Sequence, residues 1–307
     1  MGQSFVLSAS TPASTAVRGA ATRESLRHDL EQLGLARGDV ALVRADVGEI
    51  GRVKGGVGDS LIGALRDTVG PEGTLVALAF TKTTFVWRLQ GSDVFNEKTP
   101  PTTGALARLF LEQPDAVRSR HPTNSFVALG ARAKEVLAGH DETASSFEPM
   151  GKIVEHGGKQ VLIGCTRSSP GFTTVHWAQH VLGLDRRSIL GGWFGALHEK
   201  AGAVATFKRR DIGGCSMGFH KLYAEYEKEG LLRQGLVGKA ESMLVPAAPA
   251  YALEHRLLSK DPRAVFCDNR LCAFCRGSWL YNKRDMLAFY PRFVLSALRN
   301  RHPKRAE

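Results

Sequence analysis

The sequence has no apolar run of about 18 residues, the length that a membrane-spanning helix needs. We therefore expect no membrane span. Residues 1–21 also lack the compact apolar stretch of a secretion signal and are rich in serine, alanine and threonine. We interpret this segment as a loose N-terminal tail and predict a cytoplasmic protein.

Motifs that bind nucleoside triphosphates, dinucleotides or nucleic acids are also missing. The glycine-rich segment at residues 55–60 matches neither a Walker loop nor the G-x-G-x-x-G pattern. The net charge of +11 favours anionic partners, and either a nucleotide-containing cofactor or a nucleic acid would suit it. Because no nucleic-acid-binding motif is present, we expect a cofactor and no nucleic acid.

Cysteine is scarce, with 5 residues in 307, but three of them are clustered. Cys267, Cys272 and Cys275 follow a C-x4-C-x2-C pattern, and Cys215 could supply a fourth thiolate. Four thiolates suit a structural Zn²⁺ ion, the same spacing opens an iron–sulfur pattern, and His220 could replace Cys215. A loop of reduced, unliganded thiols is the remaining interpretation, and without a secretion signal we expect no disulfides.

Short apolar segments alternate with amphipathic ones along most of the chain. This order predicts an α/β layered fold with a central, mostly parallel sheet. Residues 22–260 are assigned to that domain, and residues 261–307 to a cysteine-bearing C-terminal appendage packed on it. The predicted helices are 22–35, 59–68 (capped by Asp59 or Ser60), 104–111, 174–182 and 219–230; the strands are 40–43, 74–80, 125–128 and 161–164, with a long loop at 81–103.

The glycine-rich loop after the first predicted strand is a candidate cofactor site. Backbone N–H groups at the start of the following helix could hold a phosphate or a carbonyl, and basic side chains stand beside them. A plain tight turn is the alternative interpretation. The candidate cofactor-binding residues are Gly51, Arg52, Lys54, Gly55, Gly56 and Ser60.

Two further segments carry groups suited to binding and proton transfer. Arg118-Ser-Arg-His-Pro-Thr-Asn-Ser-Phe offers a guanidinium pair, the imidazole of His121 and the amide of Asn124 just before a strand. It could also be an ordinary polar loop whose turn Pro122 fixes. His176 and Gln179 are three residues apart on one helix face. His176 could act as a general base, or it could be a core histidine bonded to a backbone carbonyl.

Taken in order, these segments resemble the aminoglycoside 3-N-acetyltransferase family over residues 22–250. The resemblance rests on Gly38-Asp-Val, Ile50-Gly, Gly55-Gly, Gly70-Pro-Glu-Gly-Thr-Leu-Val, Phe95-Asn-Glu-Lys-Thr-Pro, Gly104-Ala-Leu, Arg118-Ser-Arg-His-Pro-Thr-Asn-Ser-Phe, Pro149-Met-Gly-Lys-Ile-Val, Val161-Leu-Ile-Gly, Thr174-Val-His and Gly235-Leu-Val-Gly-Lys-Ala-Glu.

The resemblance implies acetyl-CoA as donor, an amine of an amino sugar as acceptor, and His176 as the residue that promotes attack. It places Glu97 on the substrate-side loop, and it makes Arg118, His121 and Asn124 candidates for substrate binding. The chain departs from the family at Gln179, where a glutamate is usual. It also departs at Arg44-Ala-Asp, where His-Ser-Ser is usual, which adds Asp46 as a candidate catalytic carboxylate.

These departures indicate a divergent member and leave alternatives open. One is a catalytically inactive homologue that binds an acyl-CoA or a sugar. Another is a biosynthetic acyltransferase with a different acceptor. A third, suggested by the cysteines and the positive charge, is a zinc-bearing nucleic-acid binder.

Overall fold

The computed structural model describes residues 19–212, 215–278 and 283–300. Most of the predicted N-terminal tail and the last seven residues of the predicted appendage lie outside the described residues. Within the described part, no helix combines the length and the hydrophobicity that crossing a membrane requires.

Helices and strands alternate through the first two thirds of the chain. The helices are α1 Arg23–Leu33, α2 Val57–Val69, α3 Ala105–Leu111, α4 Ala133–Val136, α5 Glu148–Glu155, α6 Thr174–Val181, α7 Tyr223–Lys228, α8 Ala247–Lys260 and α9 Lys283–Asn300. The strands are β1 Val40–Ala45, β2 Thr74–Leu78, β3 Thr84–Phe85, β4 Val94–Phe95, β5 Val117–Arg118, β6 Phe126–Gly130, β7 Lys159–Ile163, β8 Phe194–Lys200, β9 Ala203–Lys208, β10 Arg233–Val237 and β11 Ala240–Pro246.

The central sheet confirms the predicted α/β layered fold. Its strand order is β10-β11-β7-β1-β2-β6-β5. The three middle strands, β7, β1 and β2, are parallel, and antiparallel strands flank them on both sides. The carboxyl ends of the three middle strands therefore meet at one edge, where ligand sites of open α/β sheets form.

The middle strands are buried on both faces, which explains their continuous apolar sequences. In β1, Ala41 and Val43 face a core shared with α1 and α2, whereas Val40 and Leu42 face a core shared with α5. A third core joins β7 to α6, α7 and α8. These layers fix α6, the helix that carries His176, beside the carboxyl end of β7.

A second, smaller sheet combines part of the predicted loop 81–103 with residues 194–208, for which no helix or strand was predicted. β8 and β9 form a hairpin, and the two-residue strands β3 and β4 pair with β8. Residues 81–103 are thus folded back onto the hairpin, with Phe85 stacked on Phe194 at 4.7 Å between ring centroids. This sheet forms the outer wall of the site described below.

Most predicted helix positions are confirmed. The first helix begins as predicted, with Thr22 as its N-cap in a capping box with Ser25. Two other helices need correction. The predicted start of the second helix at Asp59 or Ser60 is wrong, because α2 begins at Val57. Its N-cap is Gly56, whose φ of +94° is a conformation that glycine adopts without strain. The helix predicted at 219–230 is a 3₁₀ helix, Ser216–Leu222, followed by α7.

The segment after α8 packs against the main fold. A small core joins Leu184 to Phe266, Cys267 and Cys275. A π-helical turn at Ala273–Gly277 follows, and Gly277 lets the ring of Phe289 approach so closely that a Cβ at this position would lie 2.5 Å from it. The chain then continues into α9.

Candidate active site

Two cavities meet at His176, at the carboxyl edge of the central sheet. The first has a volume of about 400 Å³ and is lined by the ends of β1 and β2. The second, of about 540 Å³, opens toward the small sheet and the cysteine-bearing segment. The residues shared by both walls are Phe80, Thr102, Thr103, Phe147, His176 and Ser216.

The imidazole of His176 is fixed by two aromatic rings and one amide. Phe147 stacks on it at 4.3 Å between ring centroids, and Phe219 meets its edge at 4.8 Å. Its Nδ1 lies 3.1 Å from Oε1 of Gln179, so the predicted contact across one helix turn is present. With that oxygen as acceptor, Nδ1 carries the proton and Nε2 keeps a lone pair.

Burial lowers the pKa of His176 to about 3. The hydrogen bond to Gln179 opposes this shift, and the positive charges of Arg209 and Arg44 add to it. The ring is consequently neutral near pH 7. A neutral imidazole that lines both cavities can receive a proton from a group held in one of them.

A buried hydrogen-bond network fixes the first turn of α6. Oε1 of Gln160 in β7 accepts from the backbone N–H of Thr173 at 2.7 Å, and its amide donates to Oγ1 of Thr174 at 2.8 Å. Thr174 donates in turn to Glu254 of α8 at 2.7 Å, and Tyr226 of α7 donates to the same carboxyl oxygen at 2.5 Å. The position of His176 therefore depends on the packing of four elements.

Arg44 lies in the wall of the first cavity, at the end of β1. Its guanidinium donates to the carbonyl oxygens of Gly171 and Ser169 at 2.7 Å each, and also to the Ser169 hydroxyl. Burial lowers its pKa. Arg44 thus joins β1 to the loop that precedes α6, and its charge faces the first cavity.

The predicted substrate-binding residues lie in different places. Asn124 lines the second cavity. His121 is completely buried behind it, and its Nδ1 accepts from the backbone N–H of Asn124 at 3.0 Å. Arg118 donates to the carbonyl oxygens of Glu97, Thr99 and Ala79. Glu97 itself is exposed in a separate cavity. The structure therefore brings only Asn124 of this set to the walls around His176.

The side chain of Arg118 acts as a clamp for the loop after β4. Its bonds to Glu97 and Thr99 hold this loop, and its bond to Ala79 anchors the loop to the end of β2. Burial lowers its pKa to about 10. With these donors used internally, its contribution to the site is to position the strand ends.

The predicted cofactor loop does not line either cavity around His176. Arg52 and Lys54 are exposed, and the hydroxyl of Ser60 donates to the carbonyl of Lys54 at 2.9 Å. Arg52 borders a different cavity, of about 310 Å³, next to Lys239. Gly51, Gly55 and Gly56 all have positive φ angles in this loop.

Asp46, the candidate catalytic carboxylate, is exposed at the start of the same loop. Its Oδ1 accepts from the backbone N–H of Gly48 at 3.2 Å. Asp46 is absent from the described walls of both cavities around His176. The structure does not bring it together with the imidazole.

Arg209, which was not among the predicted site residues, lines the second cavity. Its Nε donates to the carbonyl of Asp211 at 3.2 Å and lies 3.5 Å from the Asp211 carboxylate. That carboxylate also accepts from the backbone N–H and the hydroxyl of Ser146. In the sequence, Arg209 stands in a run of basic residues at a hairpin end, a pattern typical of solvated surface, so no sequence signal marked it.

The four clustered cysteines come together as predicted. The sulfur atoms of Cys215, Cys267, Cys272 and Cys275 all lie within 4.8 Å of one another. The Sγ–Sγ distance is 3.4 Å between Cys215 and Cys275 and 3.7 Å between Cys215 and Cys272. His220, the alternative fourth ligand, is exposed and its Nδ1 lies 2.8 Å from the carbonyl of Met217. Cys215 also lines the second cavity.

A neutral imidazole thus lies between two cavities in a layered α/β fold. The family model for aminoglycoside 3-N-acetyltransferases matches residues 42–259 of this chain. The chain belongs to that family.

Similar proteins are found among both characterised sequences and solved structures. Aminoglycoside N(3)-acetyltransferase IX of Micromonospora chalcea is 29% identical over 264 residues, which cover 76% of this chain and 92% of the relative. Aminoglycoside N(3)-acetyltransferase III of Serratia marcescens is 30% identical, with 74% and 93% covered. The structure of AAC-IIIb in a binary complex with CoASH shares 30% identity and a TM-score of 0.68, over 79% of this chain and 97% of that one.

Proposed function

We propose that this protein transfers the acetyl group of acetyl-CoA to an amine of an amino sugar or aminoglycoside. The observation that carries the proposal is the neutral imidazole of His176 at the junction of two cavities. Family membership supports it, as do the names of relatives that match nearly their whole length. A relative of 30% identity has been solved with CoASH bound.

We assign the donor to the first cavity and the acceptor to the second. The first cavity lies at the end of β1, from which the chain runs directly into the glycine-rich loop. The thioester would then lie near His176, while Arg52 and Lys54 would face the phosphates farther along the loop. The second cavity, with its hydroxyl-bearing side chains and Asn124, is suited to an amino sugar.

His176 would act as the general base of a direct transfer. An ammonium group cannot attack a thioester, so the acceptor must lose a proton, and Nε2 of His176 is the nitrogen free to take it. The amine nitrogen then bonds to the thioester carbon, the carbon–sulfur bond breaks, and the proton passes on to the departing CoA thiolate. Holding both substrates beside one base supplies much of the remaining rate enhancement.

A thiol-release assay with acetyl-CoA and a panel of amines tests this function. We expect His176→Ala to lower turnover by about 100-fold or more, the usual scale for removing a general base. His255→Ala, a partly exposed histidine of α8, serves as the matched control and should retain full activity. Unchanged turnover in His176→Ala would contradict the role of the imidazole. Binding of acetyl-CoA without thiol release from any amine would instead identify an inactive homologue.

The cysteine cluster is proposed as a structural Zn²⁺ site. Zinc–thiolate bonds of about 2.3 Å in a tetrahedron place the sulfur atoms about 3.8 Å apart. The observed distances of 3.4 and 3.7 Å are close to this spacing. The ion would join the appendage, residues 261–307, to the domain formed by residues 22–260. A cytoplasmic location, where thiols stay reduced and acetyl-CoA is made, is part of the same proposal.

Metal analysis of protein purified without chelator tests the zinc site. We expect about one equivalent of zinc per chain, and less than a tenth of that in Cys275→Ser, because three thiolates hold zinc far more weakly than four. Cys165→Ser is the matched control, since Cys165 is buried outside the cluster. All five thiols reacting freely in a metal-free protein would contradict the proposal, and visible absorption from a brown protein would indicate an iron–sulfur cluster.

A further inference from the structure

The charged side chains that line the second cavity are unusual for a site that binds acceptors with several amino groups. Arg209 is the only lysine, arginine, aspartate or glutamate among the described residues that line it. The other polar side chains of the wall are hydroxyls, the amide of Asn124, the imidazole of His176 and the thiol of Cys215. The first cavity follows the same pattern, because Arg44 is the only such residue in its described wall. Each described wall around His176 thus offers one guanidinium and no carboxylate.

The acidic side chains near Arg209 lie behind the cavity wall. The Asp211 carboxylate accepts from the backbone N–H and the hydroxyl of Ser146 and lies 3.5 Å from Nε of Arg209. The same Nε donates to the backbone carbonyl of Asp211. Asp185 pairs with His180 at 2.7 Å, and neither residue lines the cavity. Among the described residues, the two terminal nitrogens of Arg209 have no hydrogen-bond partner. The guanidinium therefore presents two N–H-bearing nitrogens to a ligand, the arrangement that binds carboxylate and phosphate oxygens.

Several acidic residues lie together in a separate cavity. They are Glu97, Asp141, Glu142 and Glu199, and the basic residues Lys98, Arg120 and Lys200 line the same cavity. Glu142 is already paired with Lys200 at 2.8 Å. The undescribed residues next to the cysteine-bearing segment, 213–214 and 279–282, contain no aspartate or glutamate. No carboxylate is thus offered to an ammonium group in the second cavity by the described wall or by these neighbours.

We propose that Arg209 selects an acceptor that carries an anionic group, a carboxylate or a phosphate, on the same molecule as the reacting amine. The inference rests on the proposed acetyltransferase function and names the class of amino sugar that the site prefers. The terminal nitrogens of this guanidinium can donate to the oxygens of such a group, whereas they offer no acceptor to the several ammonium groups of a polycationic aminoglycoside. The net charge of +11 acts in the same direction, because it steers anions toward the protein.

Three probe amines of different charge test the inference: glucosamine, glucosamine 6-phosphate and gentamicin. We expect wild-type kcat/KM to be at least about tenfold higher for the phosphate than for glucosamine, and lowest for gentamicin. Arg209→Gln should lower kcat/KM for the phosphate by about 10- to 100-fold, a clearly larger loss than the one it causes for glucosamine. Arg209→Lys, which keeps the charge, should recover part of the loss. Arg210→Gln, the exposed neighbour, is the matched control and should behave as wild type.

Calorimetric binding of the same probes separates this inference from the proposed function. Failure of the proposed function appears as no thiol release from any amine, whereas the charge preference is read from binding alone. Equal binding of glucosamine and its phosphate, no binding of the phosphate at millimolar concentration, or a preference for gentamicin would overturn the inference. So would an Arg209→Gln variant, folded by circular dichroism, whose only change is a raised KM for acetyl-CoA, because Arg209 would then serve the donor.

Discussion

At the scale of single residues, Gln179 decides how His176 behaves. Its Oε1 accepts from the ring at 3.1 Å and so orients the imidazole. An amide adds no negative charge, whereas the glutamate usual in this family would stabilise the imidazolium form. Burial already lowers the pKa of His176 to about 3, so Gln179 leaves the ring neutral over the whole range in which the protein would work.

Gln179→Glu should raise the pKa of His176 toward its ordinary value. Catalysis needs the neutral ring, so activity of the variant should fall on acidification while the wild type is still unaffected by this group. We expect the ratio of variant to wild-type kcat/KM to decrease by about tenfold between pH 7 and pH 5. Rate profiles for one acceptor, measured across this range, check the expectation.

The matched control for that experiment is Gln234→Glu, which adds the same charge on the exposed strand β10. Its rate profile should follow that of the wild type. A profile of Gln179→Glu that also follows the wild type, with the protein shown to be folded, would mean that residue 179 does not influence the proton affinity of His176.

The sequence allowed some of these residues to be recognised and not others. The spacing of His176 and Gln179 on one helix predicted their contact, because residues three apart share a helix face. Arg118 was an obvious candidate by type, but only the fold reveals that its donors are used by backbone carbonyls. Arg209 reaches the cavity because a hairpin folds over the sheet edge, and no local pattern encodes that long-range placement.

At the scale of elements, α6 is held by a carboxyl group that is neutral at pH 7. Glu254 is completely buried in α8, and burial raises its pKa to about 8. It accepts hydrogen bonds from Thr174 at the start of α6 and from Tyr226 of α7. The unfolded chain releases this proton near pH 4.5, whereas the folded protein keeps it, so folding is weakened as pH rises from about 4.5 to 8.

Glu254→Gln should remove this pH dependence, because glutamine keeps the acceptor oxygen and cannot ionise. We expect the free energy of unfolding of the variant, relative to that of the wild type, to increase by a few kcal/mol between about pH 5 and pH 8. Urea unfolding at both pH values measures it, with Glu227→Gln on the exposed side of α7 as control. A constant difference across this range would show that Glu254 ionises normally.

The same elements explain which parts of the fold the sequence could predict. β1, β2 and β7 are buried on both faces, so each is a continuous apolar run that is visible in the sequence. β3 and β4 have two residues each, and the partly exposed β8 and β9 depend on pairing partners far along the chain. Two-residue strands have no periodicity of their own, so residues 81–103 were predicted to be a long loop, and no strand was predicted for β8 or β9.

At the scale of the whole molecule, three neutral histidines make the fold sensitive to acid. Burial lowers the pKa values of His121, His140 and His176 to about 3 each. Backbone N–H groups donate to Nδ1 of His121, and Nδ1 of His140 lies 2.9 Å from the Ser119 hydroxyl while its Nε2 faces a carbonyl. Protonation of Nδ1 in His121 would remove the bond from Asn124, and burial opposes a positive charge on either ring of this stacked pair.

Stability should therefore fall as the pH drops below about 6.5, where the unfolded chain binds protons that the folded protein refuses. Each buried histidine lowers the free energy of unfolding by up to about 1.4 kcal/mol per pH unit of acidification. In the wild type, Glu254 offsets one of the three histidines, because its contribution has the opposite sign.

Between pH 6 and pH 5, we expect the free energy of unfolding to decrease most steeply in Glu254→Gln, less in the wild type, and least in His140→Gln, which removes one of the three groups. Urea titrations of the three proteins at closely spaced pH values measure these slopes. Loss of a bound metal would steepen the pH slope of all three proteins equally. The prediction is therefore tested by the order of the three slopes and not by their absolute size. Identical slopes would mean that the buried rings do not control the acid response of this protein.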